Sequence, residues 1–158
     1  MYDYASDVRN PRKIADGLEG SVLHPIYHQD VLRVAYASSA FIVASALLTG
    51  TTSNIGATLL LVLLSWQYSS PPLRLKEVPI ADSLSNGAIV FLAWFIGFSF
   101  SGLSIREAPR KGYMLSLCTA GVHALGAVMD VEADRTSGQR TIATVLGRRP
   151  AAIFAALC

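Results

Sequence analysis

The sequence predicts an all-α integral membrane protein: part of a multi-helix transmembrane bundle with about four spans followed by an apolar stub. Three observations predict it. Hydrophobic residues make up 52% of the chain and charged residues only 15%, where a typical soluble domain is about 25% charged, and mean hydropathy is +0.42. The charges are also segregated, so that Val34 to Lys76 carries only Arg74 and Lys76. Finally, the neutral stretches between charged ones approach the length of about 20 residues that crosses a hydrocarbon core of about 30 Å. Disorder is excluded by this apolarity at a net charge of +2, and nucleic-acid binding by the absence of a clustered basic face. Two cysteines, Cys118 and Cys158, make neither a disulfide framework nor a zinc site. A soluble helical bundle fits poorly, because four near-spanning runs without a polar face leave too little wettable surface.

Met1 opens directly into a polar segment, without the apolar core of a signal peptide, and Met1 to Arg33 holds Asp3, Asp7, Arg9, Arg12, Lys13, Asp16, Glu19 and Asp30. Residues 32–49 form the first candidate span and 51–69 the second. Ser70 to Pro79 is a charged turn stiffened by Pro71 and Pro72. The third span is 80–103, with Asp82 and Asn86 one turn apart at an expected cavity mouth, and the fourth is 112–129. Asp130 to Arg149 is charged again, and 151–158 starts a further apolar run. Gly87, Gly97, Gly102, Gly121 and Gly126 are expected to permit close helix packing. His123, inside the fourth span, faces the bundle interior, with a hydrogen-bonded core histidine as its plainest role. Trp66 suits an interfacial belt; Tyr68 suits the belt or, just before the proline turn, a site.

Helices crossing in succession put the first segment, the proline turn and Asp130 to Arg149 on one side. That side holds Arg9, Arg12, Lys13, Arg74, Lys76, Arg135, Arg140, Arg148 and Arg149, and the other only Arg106, Arg110 and Lys111. Lys/Arg enrichment marks the cytoplasmic face. On it lie two aspartate pairs with the same spacing, Asp3 with Asp7 and Asp130 with Asp134. At i, i+4 on a helix, like charges stack and repel, and Asp130 follows a span near a helix C-terminus, where the dipole disfavours anions. A divalent cation offsets both penalties; Mg²⁺ takes one or two carboxylates and completes its shell with water and phosphate oxygen. Either pair alone is commonplace on a solvated helix end, but both share one boundary with Arg12, Lys13, Arg74, Lys76 and Arg140. Acids with a metal and clamping cations describe a diphosphate site. Positive-inside bias alone accounts for Arg148 and Arg149.

Three motifs in order carry a resemblance over essentially the whole chain, from Tyr2 to about Arg149. Tyr-Asp-Tyr-Ala-Ser-Asp resembles the later part of the first aspartate-rich motif of the UbiA superfamily of intramembrane prenyltransferases. Tyr-Ser-Ser-Pro-Pro-Leu-Arg-Leu-Lys resembles its proline-turn signature, and Asp-Val-Glu-Ala-Asp-Arg-Thr-Ser-Gly-Gln-Arg-Thr-Ile-Ala-Thr-Val-Leu-Gly its second motif. Within the superfamily, Ser-Asp-Val-Arg-Asn-Pro-Arg-Lys, Leu-Glu-Gly-Ser-Val-Leu and Gly-Ala-Val-Met-Asp-Val-Glu-Ala-Asp-Arg are similar to the lycopene elongase and bacterioruberin-type carotenoid branch. The resemblance implies one partial UbiA-like domain over 1–158, a multi-pass membrane protein with its active-site loops on the cytoplasmic side. It implies Mg²⁺-dependent transfer of a prenyl group from an allylic isoprenoid diphosphate to a lipophilic acceptor in the bilayer, a carotenoid such as lycopene or an aromatic or quinone precursor. Asp3, Asp7, Asp130 and Asp134 are the expected metal ligands; Arg12, Lys13, Arg74, Lys76, Arg140 and Tyr68 bind diphosphate; Asp130, Asp134 and Lys76 are catalytic. The family's first motif begins with an asparagine and a further aspartate, absent here, and its nine-helix bundle exceeds four spans and a stub, so an internal fragment, inactive in isolation, is expected. The rival class is a transporter or scaffold segment, but transporters place ionisable groups at mid-membrane and here only His123 is that deep.

Overall fold

The computed structural model describes residues 2–14 and 22–158; Asp16, Glu19 and most of Leu-Glu-Gly-Ser-Val-Leu lie outside the described residues. Among the described residues every regular element is helical: α1 (Tyr4–Asp7), α2 (Pro11–Ile14), α3 (His28–Thr49), α4 (Thr52–Ser69), α5 (Ala81–Ser99), α6 (Arg110–Ser137), α7 (Ile142–Leu146) and α8 (Arg148–Leu157). No proline or glycine interrupts α3, and it stops where Gly50 takes a left-handed φ of 70°, a conformation that favours glycine. Gly138, at φ 76°, stops α6 in the same way.

Three of these stretches, Pro25–Thr49, Ala81–Ser99 and Arg110–Ser137, are long and apolar enough to cross a membrane. The expected second span forms as one 18-residue helix, α4, whose Asn54 and Gln67 lower its hydropathy. The charged region expected after the fourth span is partly helix, since α6 runs on to Ser137 and carries both Asp130 and Asp134. The expected stub is α8. On α3, Val34, Phe41 and Leu48 recur every seven residues and are 64%, 74% and 88% exposed. That outward apolar stripe suits lipid and not water.

Sequence neighbours pack together: α3 on α4, α4 on α5, α5 on α6, and α8 with α7 on α6. Ala57, Leu92 and Phe95 are the buried centre between α4 and α5. Ala124, Ala127, Val131, Ile142, Ala143 and Ala151 fill the seam of α6 with α7 and α8. Far from the charged end, the buried Asn54 amide donates to Ile96 O (3.2 Å) and Ser99 Oγ (3.0 Å), a polar tie across two helices that suits a site without competing water. Gly87 and Gly121 lie where close packing was expected, since a Cβ there would strike the Ser116 and Ala155 carbonyl oxygens. Gly97, Gly102 and Gly126 have no neighbour within 4 Å of such a Cβ, and the tight contact unforeseen from sequence is Gly112 against the Trp94 ring.

Candidate active site

Because the long helices alternate in direction, residues 2–14, the turn at 70–80 and residues 134–148 gather at one end. Asp3 caps α1 and Asp7 ends it, with the Asp7 N–H donating to Asp3 O at 2.8 Å. The buried Asn10 accepts the Arg12 N–H at 3.0 Å and starts α2. From there Lys13 Nζ turns back to Asp7 Oδ1 at 2.7 Å, and Arg12 crosses to ion-pair with Asp130 on α6.

The proline turn fixes the next two cations. Ser70 Oγ donates to Trp66 O at 2.6 Å, the Pro71–Pro72 peptide is cis, and Gln67 Oε1 accepts the Leu73 N–H at 3.3 Å. Arg74 adopts φ 44°, ψ 55°, a left-handed conformation costing a non-glycine residue about 1–2 kcal/mol. Its guanidinium pairs with Glu77 and lies 3.8 Å from Asp3 Oδ1. The Glu77 hydrogen bond raises the Arg74 pKa above its already high ordinary value, so Arg74 remains a fixed cation. Lys76 pairs with Asp3. This pair is the most sheltered in the cluster, its side chains 13% and 25% exposed, whereas Arg33–Asp30 at 77% and 65% is a solvated pair worth about 0–1 kcal/mol.

On α6, His123, Ala127, Asp130 and Asp134 recur at i, i+4, i+7 and i+11 and share one face. That face lines a cavity of about 270 Å³, closed by Tyr68, Lys76 and Glu77 from one side and Gln139 and Thr141 from another. Asp134, and not Asp130, stands in the last turn of α6 and bears the dipole penalty; Thr141 Oγ1 donates to Asp134 Oδ2 at 3.4 Å. The Gly138 turn makes this contact, with the Gln139 N–H donating to Asp134 O at 2.8 Å, and Thr141 caps α7 in a capping box with Thr144. Glu77, Gln139 and Thr141 were not among the residues read from sequence. A glycine just past a helix, followed by the Thr-x-x-Thr cap, is the signal that turns the chain back onto Asp134.

The two aspartate pairs thus meet at one end, linked through Asp3–Lys76 and Arg12–Asp130, with Lys76 and Asp130 in the same cavity wall. Arg140 is exposed and does not line the cavity. Asp82 and Asn86 do not form its mouth. Asp82 is fully buried and accepts the Ser83 N–H (2.6 Å) and the Ile142 N–H (3.0 Å), which ties α7 to α5, while Asn86 lies close to the Tyr68 hydroxyl. Trp66 stacks on Tyr36 with ring centroids 4.9 Å apart and lines a second, apolar cavity of about 600 Å³ between α3, α4 and α5. Tyr2, Leu32, Trp66 and Ser69 wall that cavity nearest the charged end, and Ile42, Leu61 and Ile89 elsewhere.

The donor set suits a hard cation carried with a phosphate group. Among the described residues no three His, Cys, Asp or Glu side chains form a metal cluster, and Mg²⁺ needs no such cage, since one or two carboxylates with phosphate oxygen and water complete its shell. Asp130 and Asp134, which line the cavity, offer those carboxylates, Asp3 and Asp7 lie at the same end paired with Lys76 and Lys13, and the cations now paired with the four acids are the groups that anionic oxygens would engage.

The model of the UbiA prenyltransferase family matches residues 1–158. The chain is 34% identical to the C(50) beta-cyclic carotenoids biosynthesis protein LbtBC of Dietzia sp., over 100% of the chain and 36% of that protein. It is 35% identical to a lycopene elongase/hydratase of Corynebacterium glutamicum over 96% of the chain and 52% of that protein, and 35% identical to that of Haloarcula japonica over 100% and 51%. The chain therefore spans about half the length, or less, of these relatives. A solved structure of a UbiA homologue from Archaeoglobus fulgidus, bound to DMAPP and Mg²⁺, shares the fold with a TM-score of 0.74 at 24% identity, covering 95% of the chain and 52% of that protein.

Proposed function

The chain belongs to the UbiA prenyltransferase family, and from that premise we propose that it carries the diphosphate-handling end of a multi-pass membrane enzyme. The complete protein transfers a prenyl group from an allylic isoprenoid diphosphate, dimethylallyl diphosphate being the simplest, to a hydrophobic acceptor. The carotenoid relatives favour a carotenoid such as lycopene over an aromatic or quinone precursor. The observation that carries this reading is the gathering of two aspartate pairs, distant in sequence, at one end of the bundle, where Asp3 pairs with Lys76 beside Arg74 and Arg12 pairs with Asp130. The basic side of the bundle faces the cytoplasm.

In this reading Asp3, Asp7, Asp130 and Asp134 hold Mg²⁺, and Lys76, Arg74, Arg12 and Lys13 bind the diphosphate oxygens. Arg140, exposed between the cavity-lining Gln139 and Thr141, is a further candidate for the diphosphate. Bound Mg²⁺ supplies charge neutralisation on the leaving diphosphate. The protein's cations act in the same direction, stabilising negative charge that grows as the allylic carbon–oxygen bond breaks. Thr141 keeps Asp134 oriented, and the Asp3–Lys76 pair holds Lys76 in the cavity wall.

In membranes containing the complete protein, Asp130→Ala and Asp134→Ala are each expected to abolish Mg²⁺-dependent transfer of label from dimethylallyl diphosphate into lipid-soluble product. Retained turnover in either variant removes that residue from the mechanism. A transporter or scaffold would give no prenylated product with the unaltered protein.

A further inference from the structure

His123 is an ionisable side chain in the middle of a membrane-spanning helix, a placement that is costly unless the residue is used. It stands seven residues before Asp130 on the same face of α6, about 10 Å deeper at 1.5 Å per residue, and it lines the same cavity. Both ring nitrogens are engaged by hydroxyls from two other helices: Nε2 lies 3.1 Å from Tyr68 OH on α4, and Nδ1 lies 3.2 Å from Ser83 Oγ on α5. Tyr68 also lines the cavity, and its hydroxyl is turned to His123 instead of the cations above. These two bonds fix the ring between three helices and hold Nε2 against the Tyr68 hydroxyl.

Resting on the prenyl-transfer reading, we propose that Tyr68 and His123 form a proton relay that receives the proton released when the alkylated acceptor becomes neutral. With Nδ1–H donating to Ser83 Oγ, Nε2 accepts the Tyr68 O–H, and the Tyr68 oxygen keeps a lone pair for the cavity. Addition of the allylic cation to an acceptor alkene forms one carbon–carbon bond and leaves a tertiary carbocation. The adjacent C–H bond then breaks; its electron pair becomes the new double bond, its proton passes to the Tyr68 oxygen, and the Tyr68 proton passes to His123 Nε2. The imidazolium keeps its bond to Ser83 Oγ. The depth of the pair suits this role, because it lines the same cavity about 10 Å below the carboxylates and cations that would hold the diphosphate. His123 is a positioning residue, acting through Tyr68.

The test separates a relay from a structural hydrogen bond. In membranes containing the complete protein, His123→Gln keeps a side-chain amide able to bond Tyr68 but unable to take up a proton at neutral pH. Its turnover with labelled dimethylallyl diphosphate is expected to fall about 100-fold, the lower end for general base catalysis. KM for the donor should stay within about threefold, consistent with intact diphosphate binding. His123→Asn, which keeps the Nδ1-side bond, should behave alike. A folding defect would instead raise KM or lower the melting temperature of the solubilised protein. Folded Gln or Asn variants with turnover within about threefold of the parent overturn the relay, as does a loss of turnover accompanied by lost donor binding. An unaltered protein that transfers no prenyl group defeats the transferase reading itself, and the relay with it.

Discussion

Replacing Asp82 with alanine should loosen the charged end of the molecule. The carboxylate is completely buried at the start of α5, accepting the Ser83 N–H at 2.6 Å and, from a residue sixty positions later, the Ile142 N–H at 3.0 Å. The Ser83 N–H keeps a second acceptor in Ile80 O at 3.2 Å, so its share is small. The Ile142 N–H is left buried without a partner. A hydrogen bond to a charged group contributes about 1.5–3 kcal/mol, and removing a desolvated charge returns part of that, so we expect a loss of about 2 kcal/mol. Asp82→Asn keeps an oxygen for Ile142 and should cost about 1 kcal/mol or less. Chemical unfolding of the complete protein in micelles measures both. Thr141, next to Ile142, bonds Asp134, so Asp82→Ala combined with Thr141→Val should be non-additive by at least 0.5 kcal/mol, as expected for neighbours sharing a segment. An Asp82→Ala protein within about 0.5 kcal/mol of the parent, the range of an ordinary surface change, would refute the tie between α5 and α7.

Gly87→Val should destabilise by about 1–3 kcal/mol through overpacking, because the new Cβ would meet the rigid Ser116 carbonyl, whereas Gly126→Ala, with open space around it, should fall within about 0.5 kcal/mol; paired unfolding curves check the contrast. Lys76→Ala should raise KM for the isoprenoid diphosphate about tenfold or more, the worth of one charge-assisted hydrogen bond, read from initial rates against donor concentration. At the opposite end of the bundle, the Ser104 N–H, then the Ser104 hydroxyl, donate to Glu107 and hold its carboxyl below the usual glutamate range. This lowered pKa adds stability above the unfolded glutamate pKa that disappears as pH falls through the folded one, so Glu107→Gln should flatten the acid limb of a stability–pH profile while leaving transfer at neutral pH unchanged.

Much of this protein was decided by composition and spacing alone. Few charges and neutral runs of bilayer length determine helices able to cross a membrane, because a helix satisfies its own backbone in lipid, and the excess of Lys/Arg on alternate connections gives the expected sidedness. The i, i+4 aspartates, the proline turn and its two cations could likewise be read along the chain, since each is a local pattern. Tertiary structure alone decided which charges meet. That Asp3 pairs with Lys76 and Arg12 with Asp130, that Arg140 stays on the rim, and that Asp82 is a buried tie instead of a cavity mouth all depend on how helices distant in sequence are packed. His123 shows the boundary: its place inside a span and its register with Asp130 are visible in the sequence, but its two hydroxyl partners lie 55 and 40 residues away. Periodicity describes one helix at a time, and such partnerships exist only once three of them are side by side.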